Sequence, residues 1–193
     1  IIAGNHDSPT RLEVPMPFLA AFDMVVVGQV NRLPDKPLVE RSRNIDLEKF
    51  IVPLRNQQQQ VEAWCLAVPF LRPSDVPRVD NAEDAYLEGI SALYQQVTAL
   101  ARAKKSPQQA LIAMGHCHIV GGQISQDSER KLVMGGVEML SSRIFSDDTA
   151  YVALGHLHFA QAVGGEHIRY SGSPLPMSFS ELNYPHQVVM VEI

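Results

Sequence analysis

The sequence predicts an α/β fold, and one recurring pattern carries most of that prediction. Three times an apolar run ends in glycine and then presents histidine: Ile1-Ile2-Ala3-Gly4-Asn5-His6-Asp7, Leu111-Ile112-Ala113-Met114-Gly115-His116-Cys117-His118 and Tyr151-Val152-Ala153-Leu154-Gly155-His156-Leu157-His158. Each run is short and partly β-branched, as buried strands are, and the glycine is expected to let the backbone turn sharply. A long stretch of helical periodicity at residues 80–105 supplies the α component. Ligands of open α/β sheets gather at the carboxyl ends of the strands. Three such ends bearing Asn and His side chains are therefore expected to converge on one metal cluster.

The remaining elements follow in order. Ser8-Pro9 has the form of a helix start, serine as cap and proline at the first helical position. The helix is expected to run through Phe22, with Pro15 and Pro17 interrupting its first turns. Residues 24–28 are β-branched and read as a strand, and residues 31–46 as polar loop with a short strand. Residues 50–54 and 61–68 flank Asn56 and four glutamines, the pattern of a hairpin with a polar tip. Residues 69–77 are proline-punctuated loop. In the 80–105 helix, Ala85, Leu87, Ile90, Leu93, Tyr94, Val97 and Leu100 fall near helical spacing. Further strands are expected at 131–134, 160–163, 167–170 and 188–191, with Gly164-Gly165 as a turn.

With 193 residues, 46% hydrophobic and 19% charged, the chain reads as one globular domain able to bury a core. A net charge of −5 argues against a generally basic nucleic-acid surface but does not exclude nucleic acid, because bound divalent cations would add local positive charge. No apolar run reaches the roughly 18 residues of a membrane span. Cys65 lies in an apolar run and Cys117 between histidines, which suggests reduced thiols in a cytoplasmic protein.

Residues two apart on extended backbone point to one side, so His156 and His158 can present both imidazoles to one site. Asn5 offers a neutral carbonyl oxygen suited to hard or borderline cations such as manganese. Mixed oxygen and imidazole donors, with no cysteine pair, argue against a closed structural zinc site.

Gly4-Asn5-His6-Asp7, followed downstream by Gly115-His116 and Gly155-His156-Leu157-His158, resembles the calcineurin-like metallophosphoesterase family. Pro69-Phe70-Leu71-Arg72-Pro73 and Tyr170-Ser171-Gly172-Ser173-Pro174 narrow the resemblance to its nuclease branch. The resemblance implies the later half of a four-layer αββα sandwich, with the N-terminal part preceding Ile1. It implies two divalent metal ions, manganese for the nucleases, with Asn5, His116 and His156 holding one and His158 the other. His6 matches the non-ligand catalytic histidine, which stabilises phosphate charge or protonates the leaving oxygen. The implied function is phosphodiester hydrolysis in DNA, exonucleolytic and endonucleolytic, beside a partner ATPase in end and hairpin processing. The other readings are a phosphoesterase acting on a small phosphate ester and a catalytically dead scaffold.

The chain contains neither the Asp-x-His nor the Gly-Asp motif of the family. The bridging aspartate and two further ligands are therefore expected upstream of Ile1, and the chain alone is expected to bind metal weakly and to be inactive. Phe159 stands where the family often has a basic residue. His118 is expected beside the ligands without being one, Cys117 to point into packing, and Asp7 to cap its own loop. His167 and His186 read as surface residues, Arg11, Arg72, Arg143 and Arg169 as solvated or ion-paired, and Gly172-Ser173-Pro174 equally as a structural turn or as a loop close to the metals.

Overall fold

The computed structural model describes residues 1–33, 44–125 and 139–193. The strand expected at 131–134 lies outside the described residues, as does most of the 31–46 loop.

The helix expected after Ser8 is broken in two, α1 (Pro9–Glu13) and α2 (Met16–Leu19), before a 3-10 turn at Ala20–Phe22. Pro15 is the N-cap of α2, so the interruption falls where proline removes a backbone donor. Glu13 ties this region down. Its carboxylate accepts Gly28 N at 2.7 Å and Gln29 N at 3.0 Å, and it pairs with Lys49 at 2.8 Å.

The hairpin is present as β1 (Ile51–Arg55) antiparallel to β2 (Val61–Ala67). Asn56 closes its tip, its side-chain oxygen accepting Gln58 N and Gln60 N. Next comes α3 (Ala85–Lys104), capped by the Asp84 carboxylate on Tyr86 N and Leu87 N. The apolar stripe read from the sequence meets the core through Ile90, Leu93, Tyr94 and Val97, with Ala101 completing it. Burying each of these larger apolar side chains stabilises by about 1.5–3 kcal/mol before conformational entropy is subtracted.

Strands β3 (Ala110–His116), β4 (Tyr151–Gly155), β5 (Gln161–Ala162) and β6 (Ile168–Tyr170) complete a six-stranded mixed sheet in the order β1-β2-β3-β4-β6-β5. The pairs β2–β3, β3–β4 and β4–β6 are parallel, so their carboxyl ends share one edge. The α/β class read from the sequence holds. α3 covers the face bearing Leu111, Ala113 and Gly115, and the Tyr94 hydroxyl donates to Met114 O. Along the other face, Val52, Cys65, Ala67 and Met114 line a groove of about 770 Å3 bordered by Ile1, Met24 and Val25.

Two expected strands are reduced and one is not formed. Residues 1–3 and 24–28 meet only in an isolated parallel bridge, Ile2 to Val27. Residues 188–191 are in no strand, with Val188 and Met190 exposed. A short apolar run alone makes no ladder; a strand needs a neighbour to receive its hydrogen bonds. Among the described residues, none pairs with this segment.

Candidate functional site

His116 ends β3 directly opposite Gly155, which ends β4. The parallel register therefore delivers His116 and His156 side by side at the carboxyl edge. Ala3 N donates to Val27 O and Phe70 N donates to Ala3 O, which fixes the start of the first loop. Asp7 closes that loop, its carboxylate accepting Gly4 N at 2.7 Å, the capping role expected of it. Asn5 is thereby brought to His116, with Oδ1 and Nε2 2.9 Å apart.

The glycines serve a different purpose from the one the sequence suggested. Gly4 and Gly155 are not at positive φ. A Cβ on Gly4 would stand 2.7 Å from His116 Cε1, and one on Gly155 would stand 3.0 Å from His116 Nδ1. Their role is to make room for the imidazole. The unusual backbone belongs to His156, at φ 103°, a region that favours glycine and is costly for other residues.

Asn5, His6, His116, His156 and His158 line one cavity of about 220 Å3, so the structure gathers every residue singled out from the sequence. Burial holds His116 down at about pKa 4, against the upward pull of Asp7. His156 is also held at about 4, by burial first and then by the neighbouring histidines. Both imidazoles are therefore neutral near pH 7, the form that coordinates a metal. His158 is turned by Glu181, whose Oε1 lies 2.7 Å from Nδ1. His6 is exposed at the cavity.

Among the described residues no three His, Cys, Asp or Glu side chains form a metal cage, and no carboxylate lines this cavity. Part of a donor set is nevertheless present. Adjacent ligand atoms of an octahedral ion with bonds of about 2.1 Å lie about 3 Å apart, and Asn5 Oδ1 and His116 Nε2 are separated by 2.9 Å. The His156 ring stands edge-on to that of His116, with centroids 5.2 Å apart. Neutral imidazole and amide oxygen suit a borderline divalent ion.

The neighbours fall mostly as read. The His118 ring is 6.4 Å from that of His156, and its buried Nε2 has no hydrogen-bond partner among the described residues. Cys117 packs against the core, and burial pushes its thiol up to about 12. Arg72 lies over the Phe70 ring, which meets His116 edge-on. Ser173 lines the cavity, so its loop lies beside the histidines. Two features escaped the sequence reading. His186 is half-buried and bridges Ser173 O and Glu181 O, where a surface position was expected. Glu181, fully buried, carried no sequence signal, because a lone glutamate between Ser180 and Leu182 reads as a solvated residue.

The site thus stands on a mixed α/β sheet, with Asn and His side chains gathered at its carboxyl edge. Over its whole length the chain is similar to curated proteins named as the SbcD component of the nuclease SbcCD. It is 35% identical to that of Rhodobacter capsulatus over 198 residues, covering 100% of this chain and 47% of the relative. The corresponding values are 32%, 99% and 45% for Escherichia coli K12, and 31%, 100% and 46% for Bacillus subtilis 168. The chain thus spans about half the length of the curated relatives it matches. No family model matches it. Among the described residues no helix is long and apolar enough to cross a membrane.

Proposed function

We propose that this chain carries the histidine-bearing part of a metal-dependent DNA nuclease of the SbcD type. The protein hydrolyses phosphodiester bonds, as an exonuclease at duplex ends and hairpins and as an endonuclease on single strands. It acts in the cytoplasm with an SbcC-like ATPase. The observation that carries this reading is the convergence of Asn5, His116 and His156 with His6 and His158 on one cavity.

In this reading Asn5, His116 and His156 hold one divalent ion and His158 contributes to a second, manganese being the metal that the resemblance to metallophosphoesterase nucleases implies. Such ions, when bound, supply Lewis acidity toward a phosphodiester and lower the pKa of water. The chain's residues set the rest. The low proton affinity of His116 and His156 keeps their ring nitrogens available at neutral pH. Gly4 and Gly155 fix the His116 ring by leaving it a single close-fitting slot. His6, exposed beside the ligands, is the side chain that stabilises charge on the phosphate or gives a proton to the leaving oxygen from a ring nitrogen.

The test compares manganese-dependent cleavage of duplex, hairpin and single-stranded DNA with that of nitrophenyl phosphate esters, using the full-length protein. Cleavage of DNA that is lost on His6→Ala or His116→Ala supports the reading. Turnover of the small esters alone supports the small-substrate phosphoesterase instead, and metal binding with no turnover of either supports the scaffold. The isolated chain is expected to bind manganese weakly and to cleave nothing.

A further inference from the structure

Beside the cavity, the segment Phe179–Glu181 is packed the wrong way round for an ordinary surface turn. Phe179 is 92% exposed and Leu182 60% exposed, whereas the charged residue between them, Glu181, is 0% exposed. A carboxylate leaves water at high cost unless it is paired and hydrogen-bonded. Burial of apolar surface cannot select this arrangement, since it leaves the phenyl ring in solvent.

The partners of Glu181 account for it. Oε1 lies 2.7 Å from His158 Nδ1, and Oε2 accepts Met177 N at 2.8 Å. The backbone around them is cross-tied. Ser173 N donates to His158 O, and His186 bridges Ser173 O and Glu181 O. Ser173, Met177, Glu181 and His186 are thus tied to one another and to His158, whose ring meets the Glu181 carboxylate.

We propose that Glu181 is a positioning residue for His158. Its carboxylate holds the proton on Nδ1 and fixes the ring plane, so that the Nε2 lone pair is the one presented to the cavity. This rests on the metal reading of the site, in which His158 coordinates through that nitrogen. An imidazole bound on one side to a carboxylate is also a more basic ligand on the other.

The experiment has two parts, both on the full-length protein. In metal-free protein labelled with 15N-histidine, the ring nitrogen shifts of His158, assigned with His158→Gln, report which nitrogen carries the proton. Nδ1–H is expected in the wild type, with loss of that preference in Glu181→Gln and Glu181→Ala. Manganese affinity, followed by electron paramagnetic resonance, is expected to fall about 10- to 100-fold in both variants and to recover partly in Glu181→Asp. Nε2–H in the wild type overturns the proposal without any variant, as does unchanged affinity in a folded Glu181→Gln. A wild type that binds no manganese but carries Nδ1–H overturns the metal reading and the ligand role of His158, leaving the glutamate–histidine bond as structural.

Discussion

Asn5 Oδ1 and His116 Nε2 are 2.9 Å apart although 111 positions separate them in the chain. Two glycines, one beside each residue's strand end, allow that approach. Gly4→Ala or Gly155→Ala should push the His116 ring from its slot, because the new methyl meets ring atoms at 2.7 or 3.0 Å. Overpacking of this kind costs about 1–3 kcal/mol. Chemical denaturation should show that loss, with Gly4→Ala the worse of the two, and manganese affinity should fall in both.

Acid should destabilise the metal-free protein through His116 and His156. Both are held at about 4 in the folded state, below the usual histidine value of 6.5. Between those values the unfolded chain binds protons that the folded chain refuses. Stability is therefore full above pH about 6.5 and is lost as pH falls toward 4. Unfolding free energy measured against pH should have a positive slope in this window. The double variant His116→Gln/His156→Gln should flatten it.

His156 holds a φ of 103°, which glycine tolerates and alanine does not. Both His156→Gly and His156→Ala remove the imidazole, so their difference isolates the backbone cost. The glycine variant should be the more stable by about 1 kcal/mol in urea unfolding. Equal stability would show that the backbone there is unstrained.

Glu13 joins α1 to the Gly28–Gln29 backbone and to Lys49. Burial raises its pKa, but Lys49 and the two backbone amides outweigh this and leave it below the usual carboxylate value. Glu13→Ala strands those donors and should cost about 2 kcal/mol. Lys49→Ala, which leaves the amide contacts in place, should cost less.

Asp84 accepts two backbone amides at the start of α3. Asp84→Ala should lower stability by about 1 kcal/mol, and Asp84→Asn should restore most of it. Thermal unfolding followed by circular dichroism is sufficient to order the three proteins.

The parts of the fold that were legible in the sequence are those fixed by local patterns. The hairpin around Asn56, the apolar stripe of α3 and the strands ending at His116 and Gly155 each show a period or turn signal within a few residues. Residues 188–191 show the same apolar character and form no strand, because pairing depends on a neighbour that the segment itself does not encode.

For the site, the sequence by itself singled out the side chains that meet in one cavity, Asn5, His6, His116, His156 and His158, each just beyond an apolar run. That was readable because short strands and the loop residues following them are local features. Only the tertiary structure decided how those side chains are held. The parallel register that sets His116 opposite Gly155, the space left by Gly4 and the burial of Glu181 against His158 all join residues far apart in the chain. Packing of distant segments selects such contacts, and no spacing along the sequence records them.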